Sequence, residues 1–460
     1  MLKLAPFARQ HSRLFFIAKQ CMRVVTGAVI GIFLVFPAVA KACPDLSPYF
    51  LDSEPDWAER ERQLAELMPE CLDNSQYFAL IGSAQLNLGQ LAPALESLER
   101  ALLQDPQNGA AQIDYAETLY EIGQLFGALE LNRQLLRRDD LPAGLQPLLE
   151  QRQLRWQALT RQTSLEADLR AGYDNNLNGG PDSSQITLTP SGEPILLSLS
   201  PELQPISGPY LNMGLSGRLR QLAADHQHNW STALRGRVSE DTDSDLLQFA
   251  TQYAYIKPAQ EHSWQFVAGM NHLLYGGSAL FTGAEASARY QLGGSGTCKP
   301  YYELAVQQQY YHGQHVLNAL ESKLGAGLNC NSVQAARGYQ LTAEISALNN
   351  KALRSGRLGG NRAGWQVGLD WRYPLSRGTL RAQLNYTELQ DRDSYSPLLA
   401  SGADRWQNRG SVSLQYAEPI NLFGRDSTLL INLFSQRQKS NIQLFRTADT
   451  SAEIGFSWAF

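Results

Sequence analysis

Residues 451–460 read SAEIGFSWAF and split cleanly with a period of two. Ile454, Phe456, Trp458 and Phe460 fall on one face, and Glu453, Gly455, Ser457 and Ala459 on the other. Side chains alternate across a strand, so this spacing specifies an extended segment with one apolar face. The same period recurs from residue 164 to the end. Leu211, Met213, Leu215 and Leu219 oppose Asn212, Ser216, Arg218 and Arg220. Trp365, Val367, Leu369, Trp371 and Tyr373 oppose Gln366, Asp370 and Arg372. Leu380, Ala382, Leu384 and Tyr386 oppose Arg381, Gln383, Asn385 and Thr387. Strands of a soluble sandwich also alternate, but they average about 5–6 residues. The segments here run about 9–13 residues and end in aromatics, as strands that cross a bilayer require.

Fourteen such segments begin near 164, 208, 228, 246, 262, 280, 300, 316, 338, 362, 378, 405, 427 and 445. An even number returns both ends of a closed barrel to one side. The long links 177–207, 241–245, 353–361 and 395–403 then share the opposite side, while 376–378 and 259–262 are short. Long loops outside and short turns inside are the asymmetry of an outer-membrane barrel.

Residues 56–160 have a helical pattern and an internal repeat of 34 residues. Gly82 recurs as Ala116, Gly89 as Gly123 and Ala94 as Ala128. The first copy, 75–108, fits the tetratricopeptide pattern. Phe78, Ile81 and Gly82 lie on its first helix, Gly89 breaks the chain, Ala94, Leu98 and Ala101 lie on the second, and Pro106 closes the unit. The second copy degrades after Ala128 and ends at Pro142, and helices near 56–69 and 143–161 would cap the stack. A generic helical bundle is the plainer alternative. A groove lined by Phe78, Gln85, Gln112 and Leu119 would suit recognition of a partner. The expected architecture is an α-helical tetratricopeptide-type solenoid, 43–163, followed by a 14-stranded antiparallel transmembrane β-barrel, 164–460.

Residues 1–42 read as a secretory signal peptide. Arg9, Arg13, Lys19 and Arg23 form its basic region, an apolar run covers 24–39, and Ala40-Lys41-Ala42 is an A-x-A cleavage site. Cys43 follows at once, yet Ala40 and Lys41 do not make a lipobox. The chain's net charge is −5; 1–42 carries six basic and no acidic residues, so 43–460 is near −11. That balance argues against a nucleic-acid partner. Of five cysteines, Cys21 lies in the signal, leaving Cys43, Cys71, Cys298 and Cys330, an even number in an exported chain. Cys298 and Cys330 are equidistant from the centre of a hairpin of strands 300–311 and 317–328. Directly opposed antiparallel positions come within bridging range. These two are therefore expected to pair, leaving Cys43 with Cys71.

The chain's ending resembles the C-terminal recognition signal of outer-membrane barrels, with Glu453, Gly455, Trp458 and Phe460 in its slots. That resemblance implies recognition by barrel assembly machinery and contact with outer-membrane lipid. Order and residues together resemble one family, the surface lipoprotein assembly modifiers or Slam proteins. The resemblance spans about 75–460. It rests on Gly82, Gly89, Ala94 and Pro106 of the repeat, on the opening strand Arg170-Ala171-Gly172-Tyr173-Asp174-Asn175-Asn176-Leu177-Asn178, and on the C-terminal signal. It implies a periplasmic helical domain, a fourteen-stranded barrel in the outer membrane, and delivery of a specific client, a lipoprotein or a secreted haem-binding protein, across that membrane.

No Gly-x-Ser-x-Gly or His-Glu-x-x-His motif is present, so neither an enzyme nor a catalytic, cofactor-binding or metal site is expected. His226 and His228 offer a metal pair but read more plainly as a solvated turn, and Asp241, Asp243 and Asp245 alternate like calcium ligands but, without the glycine and distal glutamate of a calcium loop, read as a solvated outer loop. Inward positions include Arg218, Arg220, Arg235, Arg237, Arg289, Lys323, Arg372 and Arg381 against Glu285, Glu321, Glu344 and Asp370. Two readings are open: a charge-balanced wall, or a cationic corridor for anionic cargo. Alternatives to client delivery are an exopolysaccharide export porin and a surface receptor or adhesin barrel.

Overall fold

The computed structural model describes residues 42–51, 55–190, 193–259, 261–294, 296–332, 338–422 and 424–460. The expected signal peptide lies outside these residues, apart from Ala42. Helices come first: α1 (Pro48–Leu51), α2 (Trp57–Leu67), α3 (Ser75–Asn87), α4 (Leu91–Gln104), α5 (Gly109–Glu121), α6 (Leu125–Leu135) and α7 (Gln146–Leu159). The 34-residue period is written into their ends. Asn74 Oδ1 accepts from Tyr77 N at 3.0 Å to cap α3, and Asn108 Oδ1 accepts from Ala111 N at 3.1 Å to cap α5. Gly89 and Gly123 end α3 and α5 regions with φ of +72° and +83°, a conformation that costs other residues. A Cβ on Gly82 would stand 2.6 Å from Leu98 Cγ, so the small residue sets how closely α3 and α4 pack. Tyr77, Phe78, Leu98 and Ala101 fill the first core, and Ala116, Leu119, Ala128 and Trp156 the second. Cys43 and Cys71 are bonded, tying the chain before α1 to the first core.

The strands are β1 (Arg161–Asp174), β2 (Gln185–Leu188), β3 (Ile195–Ser198), β4 (Gly208–Leu222), β5 (Gln227–Ser239), β6 (Leu246–Pro258), β7 (His262–Tyr275), β8 (Ser278–Leu292), β9 (Cys298–Tyr311), β10 (Ala319–Asn331), β11 (Gln340–Ala352), β12 (Arg362–Pro374), β13 (Thr379–Ser394), β14 (Asp404–Leu422), β15 (Arg425–Ser440) and β16 (Thr447–Ala459). All but β2 and β3 form one closed antiparallel barrel of fourteen strands, with β1 pairing β16 on one side and β4 on the other. Closure removes the free sheet edges that could not survive in lipid. The outer face is apolar: Leu215, Leu234, Leu304, Leu324, Ile345, Leu384, Val412, Leu433 and Ile454 are all exposed. A soluble fold of this size would not leave such a band uncovered; a bilayer covers it.

The first strand begins at Arg161 rather than at 164. Residues 161–163 lack the alternating pattern, but pairing with 219–221 of β4 extends the strand over them. Cys298 and Cys330 are opposed in the β9–β10 ladder and bonded. The connections divide by length. Turns 223–226 and 375–378 lie at the rim that carries the helical region, and links 353–361 and 395–403 and the long link between β1 and β4 lie at the far rim. The two-residue far turn Gly276-Gly277 has φ of +53° and +75°, as a primed hairpin turn demands. The β2–β3 hairpin is an addition to the expected topology. It lies in the longest link and docks on two other far loops: Thr189 N donates to Leu398 O at 2.8 Å and Thr187 N to Gln443 Oε1 at 2.6 Å.

Candidate functional site

Three regions bear on function: a recess in the helical region, the seam where the barrel closes, and the lumen. In the first, α2, α3 and α4 surround a recess of 420 Å³. Phe78 and Gln85 both line it, with Tyr77 and Ile81 beneath and Glu96 and Arg100 at its edge. Ser97 Oγ donates to Gln85 Oε1 at 2.8 Å, and the Arg100 guanidinium lies 5.7 Å from the Phe78 ring centre. The floor is apolar and the mouth carries both signs of charge, a surface fitted to a peptide segment rather than to a lone ion. Gln112 and Leu119 do not join this recess. Gln112 donates to Pro106 O at 2.7 Å and accepts from Arg138 Nη1 at 3.0 Å, and Leu119 is buried in the second core. The expected four-residue groove is thus split, because the α5 face is used to seat Arg138 and to pack α6 and α7.

Between the second repeat and the capping helix lies a buried polar knot. Arg152 Nε donates to Asn132 Oδ1 at 2.8 Å, and its guanidinium lies 4.8 Å from the Trp156 ring. Asn132 Nδ2 donates in turn to Leu149 O at 3.0 Å. Asp114 lies beside it, and burial pushes its carboxyl above the ordinary value, against the opposing pull of Ser83 and Arg152. The knot fixes α7 to the repeats, and α7 runs into β1 through Thr160 alone, whose carbonyl accepts from Leu222 N at 2.7 Å.

At the seam, β16 pairs with β1 over 451–459 and 166–174. Gly455 has no room for a side chain, since a Cβ there would sit 2.0 Å from Leu169 O. Trp458 is opposed to Ala167, and Phe460 N donates to Leu165 O at 2.8 Å. Inside the seam the Glu453 carboxylate gathers four donors from three strands. Arg170 Nη1 on β1 reaches it at 2.7 Å, Tyr210 Oη and Asn212 Nδ2 on β4 at 2.9 and 3.0 Å, and Asn432 Nδ2 on β15 at 2.9 Å. Sequence reading placed Glu453 on the inner face but missed this role. The signal available was an acid on the polar face of the last strand facing Arg170 on the first.

The lumen sorts its cations into two kinds. Arg289 Nε donates to Glu303 Oε2 at 2.7 Å, and Lys323 pairs with Glu344, which also accepts from Tyr301 Oη at 2.8 Å. Arg381 pairs with Asp370, Arg372 lies 3.7 Å from the same carboxylate, and Arg237 Nη1 lies 3.4 Å from Asp174 Oδ2. Arg220 Nη2 donates to Gln227 Oε1 at 2.9 Å and forms no ion pair among the described residues. Arg218 and Arg235 form no ion pair among the described residues and face a recess of 540 Å³ with Gln248, Gln252 and Gln415. So the wall is largely charge-compensated, and Arg218 and Arg235 share their recess with Glu166 and Glu285 without a close ion pair among the described residues. At the far rim, Arg405 is buried between the rings of Tyr395 and Phe445, at 4.4 and 4.3 Å, and its Nε lies 3.0 Å from Asp391 Oδ2. Asp241, Asp243 and Asp245 do not converge. Asp245 Oδ1 accepts from Ser239 N at 2.8 Å and Asp241 from Ser244 Oγ, so two of them cap their own turn.

The tetratricopeptide repeat family matches residues 86–159. No curated protein matches the chain. Among solved structures, it is similar to an anion-selective porin from Comamonas acidovorans, with 13% identity over 65% of this chain and 99% of the porin and a TM-score of 0.31. The outer-membrane channel DcaP of Acinetobacter baumannii gives 10% identity over 66% of this chain and 98% of that one, TM-score 0.36. A bacterial polysaccharide outer membrane secretin gives 8% over 64% and 98%, TM-score 0.30. The chain is a tetratricopeptide-type helical region followed by a closed barrel of fourteen antiparallel strands.

Proposed function

We propose that this protein is an outer-membrane translocation factor that delivers a specific client protein, a lipoprotein or a secreted protein, to the cell surface. The carrying observation is the joint at Thr160. A helical-repeat region with an open, part-apolar recess runs without a linker into β1, the strand that closes the barrel. In this reading the helical region faces the periplasm and meets the client before the barrel does. No nucleotide-binding motif is present, and the driving force is client folding or binding outside. The test is deletion of 56–160 with signal and barrel kept. The expected result is an assembled, heat-modifiable barrel and a sharp fall in client at the surface. Normal delivery by the truncated form would remove the helical region from cargo handling.

A second reading is export of a polysaccharide. The observation that favours it is the set of amides in the lumen, Gln248, Gln252, Gln265 and Gln307, which stand among charged side chains and suit hydroxyl-rich chains. Loss of surface polysaccharide with unchanged surface proteins in the deletion strain would establish it in place of the first.

A further inference from the structure

The turn between β4 and β5, at the rim that carries the helical region, holds two histidines whose ring nitrogens converge. His226 Nε2 and His228 Nε2 lie 3.0 Å apart, with the ring planes at 90°. Each ring is anchored through its other nitrogen. His226 Nδ1 is 2.7 Å from Asp225 Oδ1, and His228 Nδ1 is 2.7 Å from Tyr253 Oη. The Tyr255 ring packs against both, at 5.2 and 5.7 Å between centroids. Ala223 N donates to His226 O at 2.9 Å and closes the turn, so neither ring hangs from a loose loop. Lys257 Nζ stands 3.7 Å from Asp225 Oδ2, on the far oxygen of the carboxylate.

The proton count of this chain is fixed by its ends. The Asp225 carboxylate oxygen accepts from His226 Nδ1 at 2.7 Å. His226 therefore carries its proton on Nδ1 and presents a lone pair at Nε2. His228 fills the gap by donating from Nε2, and Tyr253 then donates to His228 Nδ1. A single proton lies between the two imidazole nitrogens, and the spot beside it is bounded by both rings.

We propose that this spot is a site for a borderline divalent cation, Zn²⁺, Cu²⁺ or Ni²⁺, held by both Nε2 atoms. Imidazole nitrogens select these ions over Ca²⁺ and Mg²⁺. Bonds of about 2.0–2.1 Å from each nitrogen are compatible with one ion bridging atoms 3.0 Å apart once each ring turns its lone pair off the line to the other. His228 takes the tautomer with its proton on Nδ1, and Tyr253 turns from donor to acceptor, so no net proton is lost. A carboxylate and a hydroxyl behind the two ligand rings is the outer arrangement that orients metal-binding histidines. Among the described residues no third His, Cys, Asp or Glu joins the pair. The ion's remaining positions are therefore open to water or to a donor from another molecule at this rim.

The experiment uses the full chain in detergent, with Zn²⁺ measured by competition against a chromophoric chelator and Cu²⁺ by electron paramagnetic resonance. One Zn²⁺ per chain is expected, and a Cu²⁺ spectrum with coupling to two imidazole nitrogens. His226→Ala and His228→Ala each abolish both signals. Tyr253→Phe and Asp225→Asn weaken Zn²⁺ about tenfold to a hundredfold, while His315→Ala leaves it unchanged. Heat-modifiable migration checks that each variant is assembled, and Tyr253→Phe, the mildest change, reports if the alanine variants fail. Wild-type Zn²⁺ affinity in an assembled His226→Ala/His228→Ala double variant, or no Zn²⁺ bound by the wild type, overturns the site.

Discussion

Arg170 on the first barrel strand and Glu453 on the last meet inside the seam at 2.7 Å, 283 positions apart in sequence. The pair is largely shielded, and Glu453 also accepts from Tyr210, Asn212 and Asn432. Removing its carboxylate strips four donors of this acceptor and leaves Arg170 its pair with Asp168. Breaking a buried pair from one side costs about 3–5 kcal/mol. Glu453→Ala should therefore lower the temperature at which the barrel loses its compact electrophoretic form, and Arg170→Ala should do so less. Identical heat-modifiability in Glu453→Ala and wild type would mean that closure is held elsewhere.

The Cys298–Cys330 bond joins opposed positions of one hairpin, and Cys43–Cys71 closes a separation of 28 residues before the first repeat. A cross-link over such loops restricts the unfolded chain by about 3–4 kcal/mol in the chain-entropy account. Peptide mapping under oxidising conditions should recover these two pairs. A reductant should lower the melting temperature of the wild type and leave a variant with all four replaced by serine unmoved. A Cys71–Cys298 peptide would contradict the register of β9 and β10.

Much of this register was legible because lipid on one side and a polar lumen on the other force strict alternation. Trp365 and Asp370 are assigned opposite faces by parity alone, and Trp365 is found exposed and Asp370 bonded to Arg381. The 34-residue spacing likewise gives Gly89 and Gly123 their shared left-handed turn. What escaped depends on closure around the ring. The β2–β3 strands have four residues each, too few for a periodic signal, and gain order by docking on distant loops. Arg405 lies between Tyr395 and Phe445 only because neighbouring far loops are brought together. Gln112 and Leu119 stand apart from the Phe78 and Gln85 recess for a local reason: Gln112 is taken by Arg138 and Leu119 packs in the second core.

Asp114 makes the helical region sensitive to pH. Burial raises its carboxyl above the ordinary value, so the folded state holds the proton more tightly than the unfolded chain. Its contribution to stability is complete below the ordinary carboxylate value and fades as pH rises through the raised one. Circular dichroism melts of the full chain from about pH 4 to about pH 7 should show helical stability declining on this account. Asp114→Asn, which keeps a partner for Ser83 but cannot ionise, should flatten that slope. An equally steep slope in the variant would assign the effect to another group.

The two kinds of lumen cation predict two kinds of variant. Lys323 and Glu344 are paired across β10 and β11, with Arg289 and Tyr301 adjoining. Their charges are compensated, so their field along the pore is small and their loss falls on the wall. Glu344→Gln should weaken heat resistance and change ion preference little. Arg218 and Arg235 form no close ion pair among the described residues and face a recess they share with Glu166 and Glu285. Unpaired charge in a polar lumen draws counter-ions toward it. Arg218→Ala/Arg235→Ala should lower the anion-over-cation preference measured as reversal potential in planar bilayers, leave heat resistance within error, and act less at high salt, where screening shortens the reach of the charges. An unchanged reversal potential at low salt, in a barrel that conducts, would mean that ions pass along the Glu303 and Lys323 wall instead.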